Sequence, residues 1–169
     1  MECLIRPAKS SDCETLMSFI KEIAALHNLL HEVVISAEDL KADGFGKEPF
    51  FKCLLAEAPP ENAGTQGRPV GYALFFMGYS VNHGRMVYLE NLYVVSEFRD
   101  KGVGRQLLAK VVEVALAAGC TSMKFATMEG NRRAKEFYLR LGAHDTTQSE
   151  DWHCMEFGKE ALQRLVQEL

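Results

Sequence analysis

The sequence predicts a mixed α/β domain. Short segments rich in β-branched and aromatic residues alternate with segments of helical period. Their order is a strand, helices, three strands of antiparallel type, then helix, strand, helix, strand and a short last helix. A chain of 169 residues suits one domain, in which a single core can bury roughly 70% of the unfolded surface. With no internal repeat and no low-complexity tract, residues 1–169 are read as that one domain.

The elements follow in order. Cys3 to Arg6 reads as a strand stopped by Pro7. Ser11-Asp12-Cys13-Glu14 has capping-box spacing, and Leu16, Phe19, Ile20, Ile23 and Ala24 continue at helical spacing. A second helix is expected from Ser36, with Asp39 three residues on, to Asp43-Gly44-Phe45-Gly46. Phe50 to Ala56 reads as a strand, and Ala58 to Pro69, with three prolines and no apolar period, as an exposed loop. Val70 to Tyr79 and Met86 to Val95 are strands flanking a hairpin connection, Ser80 to Gly84. Val103 to Ala118 carries Val103, Leu107, Leu108, Val111, Val114, Ala115 and Ala118 on one helical face, with Gly119 placed to end it. Ser122 to Thr127 is a strand, Asn131 to Leu141 a helix closed by Gly142, Trp152 to Phe157 a late strand, and a short helix starts at Lys159.

Composition excludes several function classes. Nineteen basic residues against 23 acidic ones, with no run of Lys or Arg, disfavour a nucleic-acid partner. The apolar runs are too short to span a bilayer, and the first residues already form a strand, so neither membrane insertion nor a leader is expected. Five scattered cysteines lack the spacing of a metal site or disulfide framework, which leaves no metal and points to a reducing, cytoplasmic setting. Cys120 and Cys154 read as small core residues.

Arg99-Asp100-Lys101-Gly102-Val103-Gly104 sits between a hydrophobic strand and an amphipathic helix. Two glycines there permit positive φ and close approach to the main chain, while the first-turn amides and helix dipole attract a pyrophosphate. A Walker loop would end in Gly-Lys-Ser or Gly-Lys-Thr, but Gly104 is followed by Arg105-Gln106. A dinucleotide fingerprint would need a third glycine and an N-terminal parallel β-α-β unit. On spacing alone, an empty glycine turn is as good a reading as a phosphate cradle.

Read together, Arg99-x-x-Gly102-x-Gly104 and Asn131-x-x-Ala134-x-x-Phe137-Tyr138-x-x-Leu141-Gly142 resemble the GNAT superfamily of N-acetyltransferases. Ile5-Arg6-Pro7-Ala8, Asp43-Gly44-Phe45-Gly46-x-x-Pro49-Phe50, Tyr88-Leu89-Glu90 and Glu150-x-Trp152 extend the resemblance to its diamine branch, the spermidine/spermine and thialysine acetyltransferases, over essentially the whole chain. The resemblance implies a twisted, mixed, mostly antiparallel sheet flanked by helices, whose two central parallel strands splay apart around acetyl-CoA. It implies that Leu92, Tyr93 and Val94 offer backbone groups to pantetheine. Arg99, Asp100, Lys101, Gly102, Val103, Gly104 and Arg105 would hold the pyrophosphate, with Asn131, Arg132, Arg133, Ala134 and Tyr138 flanking the cofactor. A homodimer, with the late strand contributing, is implied in the same way.

Acetyl transfer needs a neutral amine, whereas a free alkylammonium has a pKa of about 10.4. Glu90 is the candidate to bind that ammonium or relay its proton through water. The leaving thiolate, with a pKa of about 8.5 by analogy with cysteine, departs faster if protonated. Tyr138 resembles the family's acid, although helical spacing alone would make it an ordinary core or surface tyrosine. Leu26, His27, Glu90, Lys124, Phe125, Ala126 and Glu150 are expected at the acceptor, and direct transfer in a ternary complex makes an acyl-cysteine unnecessary.

On the acceptor side the chain departs from polyamine-acetylating members. Leu26-His27 stands where the resemblance leads one to expect an aromatic residue and Glu, and Asn91 where Asp is typical. Each lost carboxylate weakens polycation binding by about 1 kcal/mol if partly exposed. A single-ammonium acceptor, lysine-like or thialysine-like, fits the remaining Glu90 and Glu150 better than spermidine or spermine. Acetylation of a protein or peptide amine is the alternative within enzymes. A non-catalytic CoA-binding module is the alternative outside them, though its expected sign, a damaged acid or turn, is missing.

Overall fold

The computed structural model describes residues 1–60, 67–147, 149 and 153–167. The chain divides into two compact units, residues 1–126 and 127–169. In the first, β1 (Leu4–Pro7), β2 (Lys52–Ala58), β3 (Arg68–Ser80), β4 (Gly84–Val94) and β5 (Ser122–Lys124) form one sheet in that spatial order. β1 to β4 pair antiparallel and β5 runs parallel to β4, as a mixed, mostly antiparallel sheet requires. Three helices, α1 (Cys13–Leu26), α2 (Ala37–Phe45) and α3 (Val103–Ala117), flank it.

α3 buries Val103, Leu107, Val111 and Ala115, spaced by four, against β3 and β4. Each of its larger buried side chains contributes about 1.5–3 kcal/mol. α1 buries Cys13, Leu16, Met17 and Phe19, and the Phe19 ring stacks on Tyr72 of β3 at 6.0 Å and 11°. α2 starts as predicted: the Ser36 hydroxyl accepts from the Asp39 amide at 3.2 Å, and the Ser36 amide donates to Asp39 Oδ2 at 2.7 Å. Gly44 lies within its last turn, where a Cβ would overlap the Phe51 ring.

The expected capping box over Ser11 to Glu14 does not form. A 3-10 turn over Ser10–Asp12 precedes α1, closed by the Lys9 amide donating to Asp12 Oδ2 at 2.7 Å. Arg6 Nη1 and Nη2 also reach Asp12, at 2.8 and 3.1 Å, while Nε and Nη2 reach Glu57 Oε1 at 2.9 and 2.6 Å. This charge-assisted fork holds the Asp12 carboxyl below the usual carboxylate range and joins β1, the turn and β2. The Asp12 carboxylate, taken up by the Lys9 amide and Arg6, thus lies at the start of α1.

β5 is shorter than the predicted Ser122–Thr127 and ends at Lys124. It pairs with β4 only at Met86–Ser122, Val87–Met123 and Tyr88–Lys124, so no ladder holds residues 125–127 extended. Just beyond, the β3–β4 register shifts: Asn91 faces Leu74 and Leu89 faces Phe75, leaving Glu90 as the extra residue of a bulge. A bulge adds local twist and turns a strand away from its old neighbour.

In the second unit, α4 (Arg132–Arg140) is capped by the Asn131 side chain, which accepts from the Ala134 amide at 3.2 Å, and Gly142 follows it at φ +97°. α5 (Lys159–Gln167) ends the described chain. The late strand expected over Trp152 to Phe157 is not found: Trp152 lies outside the described residues, and 153–157 form neither helix nor strand. Alternation suggests a strand but cannot supply a ladder partner. Cys154 is exposed, correcting its reading as a core residue, whereas Cys120 is buried.

Candidate active site

Beyond the Tyr88–Lys124 pair, β4 continues to Val94 with no β5 neighbour. The Val95 amide donates to the Val70 carbonyl at 2.9 Å, so by ladder alternation the backbone of Tyr93 also faces β3. The groups left on the open edge are those of Leu92 and Val94. Of the three residues expected to contact pantetheine, two present their main chain outward.

The turn that follows is wound by two left-handed residues, Asp100 at φ +60° and Gly102 at +82°. The first bond of α3 runs from the Gln106 amide to the Gly102 carbonyl at 3.1 Å, so the amides of Val103, Gly104 and Arg105 open the helix without intrahelical partners. A fifteen-residue helix directs its positive end there. Arg105 and Lys101 are exposed, with Lys101 Nζ 4.9 Å from the centre of the Phe98 ring.

Arg99 behaves differently. Its Nε donates to the Val94 carbonyl at 2.9 Å, and its guanidinium carbon lies 5.6 Å from the centre of the Tyr93 ring. The Tyr93 hydroxyl donates to Glu22 Oε2 of α1 at 2.7 Å. Burial, and then that bond, push the Tyr93 phenol up to about 12. Glu22 carried no signal in the sequence, where it reads as a solvated helix carboxylate.

At the bulge, Glu90 is exposed and makes no hydrogen bond among the described residues. The fully buried Tyr72 hydroxyl has no hydrogen-bond partner among the described residues. Burial raises the Tyr72 phenol, with the nearby Cys53 and Glu90 adding to the effect. Asn91 is half-buried; Leu26 is 61% exposed at the end of α1, and His27 is the residue that caps it. Lys124 closes β5 opposite Tyr88, followed by half-buried Phe125 and exposed Ala126. Glu150 lies outside the described residues.

Tyr138 lies on α4 in the second unit, half-buried, its ring edge-on to Phe137 at 5.1 Å. Burial pushes its phenol up to about 12. Of the other residues expected near the cofactor, Asn131 caps α4, Arg132 and Arg133 are exposed in its first turn, and Ala134 receives the cap. A cleft of about 430 Å³ between Thr15, Phe19, Glu22, Arg68, Val95 and Glu97 includes none of the predicted site residues. Among the described residues no group of His, Cys, Asp or Glu is placed to hold a metal, and no helix is long and apolar enough to cross a membrane.

The Acetyltransferase (GNAT) family model matches residues 31–143, from the approach to α2 through α4 and the residues after it. The chain belongs to the GNAT acetyltransferase family. Thialysine N-epsilon-acetyltransferase of Bos taurus is 44% identical over 166 residues, covering 96% of each chain. Spermidine/spermine N(1)-acetyltransferase-like protein 1 of Homo sapiens is 34% identical over 158 residues, covering 94% of this chain and 23% of that protein. Among solved structures, an integron cassette protein from the mobile metagenome of V. cholerae has the same fold, with a TM-score of 0.71 at 20% identity over 98% of each chain. As a GNAT protein so closely related to these enzymes, the chain is an N-acetyltransferase.

Proposed function

We propose that the protein transfers the acetyl group of acetyl-CoA to the terminal amine of a small, lysine-like molecule of the thialysine class. The observation that carries this reading is the open edge of β4 leading directly into the amides that start α3. A pantetheine amide chain can hydrogen-bond to Leu92 and Val94 as a strand would, while a pyrophosphate suits the amides of Val103, Gly104 and Arg105. The donor's thioester carbon is the electrophile. Transfer forms a carbon–nitrogen bond as the carbon–sulfur bond breaks.

The acceptor must lose a proton before it attacks. Glu90, aimed outward by the bulge, is the group we assign to bind the ammonium and take the proton directly or through a water. Tyr138 is assigned to protonate the departing thiolate: its phenol, pushed up to about 12 by burial, still carries its proton near the pKa of about 10.4 of a free alkylamine. The acceptor class is narrowed by Leu26, His27 and Asn91, none of them a carboxylate, and by the similarity to enzymes named for thialysine.

An acetyl-CoA consumption screen across polyamines, amino acids and peptide amines tests this directly. Turnover of thialysine or a related monoamine above that of spermidine is expected. Spermidine turned over as well as thialysine would sink the single-ammonium preference, and turnover confined to peptides would replace the small-molecule acceptor with a protein.

A further inference from the structure

Arg99 heads the glycine turn, and the resemblance gives it to the pyrophosphate, yet its side chain folds back onto the strand it follows. Nε donates to the Val94 carbonyl at 2.9 Å while the guanidinium lies over the Tyr93 ring. Tyr93 is 5% exposed and tilted against Phe19 at 5.7 Å and Tyr72 at 6.4 Å. Its hydroxyl is held by Glu22. One continuous relay, Glu22 to Tyr93 to Arg99 to Val94, therefore joins α1 to the open edge of β4. We infer that Arg99 is a positioning residue that fixes this edge, supported by Glu22 through Tyr93, and is not the ligand that holds the donor's pyrophosphate.

The Val94 carbonyl faces the side where β5 is missing, so the ladder holds its peptide plane from the β3 side alone, through the Val95 amide on the Val70 carbonyl. The bond from Arg99 adds a second restraint from the open side and steadies the edge where β5 gives none. Donation from the Tyr93 hydroxyl to a carboxylate enriches the ring in electron density, which strengthens its attraction for the guanidinium above it. Glu22 thus acts at a distance, and its removal loosens Arg99 without touching the turn. The inference rests on acetyl-CoA being the donor.

Two ligands that share pantetheine but differ in phosphates separate a clip from a phosphate ligand. Binding of CoA and of pantetheine is measured by calorimetry, and KM is measured for acetyl-CoA and S-acetylpantetheine. Arg99→Lys keeps the charge but cannot both stack and donate in this geometry. It is expected to weaken both ligands by the same factor, about tenfold. Tyr93→Phe, which keeps the buried ring, and Glu22→Gln are each expected to weaken both ligands by about threefold. A loss with CoA that pantetheine does not share would make Arg99 a phosphate ligand and overturn the inference. Unchanged binding in Tyr93→Phe and Glu22→Gln would overturn the relay. Wild-type protein that binds pantetheine normally but gains nothing from the phosphates of CoA would contradict the assigned donor while leaving the clip intact.

Discussion

The two stretches of chain that follow the β4–β5 pairing, one around Glu90 and one from Leu92 to Gly104, are built in opposite ways. From Leu92 to Gly104 the chain is restrained: Tyr93 is tied to Glu22, Arg99 grips the Val94 carbonyl, and the turn winds through fixed left-handed residues into α3. Around Glu90 it is released, by a bulge that leaves an exposed carboxylate, and the buried Tyr72 hydroxyl has no partner among the described residues. A donor that is the same in every turnover is served by backbone groups held in advance. An acceptor that distinguishes one enzyme from another is served by side chains that can change without disturbing the sheet.

The largest expected effect is at the leaving group. Tyr138→Phe is expected to lower kcat about 100-fold, within the range of general-acid catalysis, with little change in CoA affinity by calorimetry. The active form is the protonated phenol, and burial raises its pKa to about 12, so that form is present throughout the range below it. The pH–rate profile should therefore rise with deprotonation of the amine, at a pKa of about 10.4 for a free alkylamine, in both wild type and variant. The variant curve should be lower but of the same shape. A wild-type rate that falls on an alkaline limb absent from the variant would show Tyr138 titrating where the acceptor does. On the released side, Glu90→Gln is expected to lower kcat/KM about tenfold while leaving KM for acetyl-CoA unaltered. Equal losses for donor and acceptor would erase the distinction between the two stretches.

Features set within a few residues were legible in the sequence. Ser36 with Asp39 announced the start of α2, the helix from Asn131 was expected within one residue of where α4 begins, and Gly102 marked the left-handed start of α3. Features set by pairing across the fold were not. The Arg6–Asp12–Glu57 fork at the start of α1 is one of these, since a pair of residues 51 apart, Arg6 and Glu57, has no local signature. The bulge at Glu90 is a property of the β3–β4 register, and the stop of β5 at Lys124 follows from losing its ladder. The predicted late strand had apolar and aromatic residues but no partner among the described strands. The candidate residues came largely from resemblance, whereas the Glu22–Tyr93–Arg99 relay came only from side-chain geometry.

The smallest expected effects, at the two glycines of the turn, divide its structural role from its binding role. Gly102 sits at φ +82°, where an L-residue costs about 1 kcal/mol, although a Cβ would meet only Gln106 Nε2, at 3.8 Å. Gly102→Ala is therefore expected to lower stability by about that amount, a fall of roughly 2–4 °C in Tm for a chain of this size. Gly104 has no such conformation, and its Cβ would lie 3.8 Å from Val94 Cγ2, an ordinary contact. Gly104→Ala should leave Tm unchanged or slightly raised, because alanine is the better helix former. If phosphates approach the amides that open α3, the added methyl occupies part of their path, and CoA should bind a fewfold more weakly while pantetheine is unaffected. Full CoA affinity in Gly104→Ala would mean that the donor is held by the edge of β4 alone.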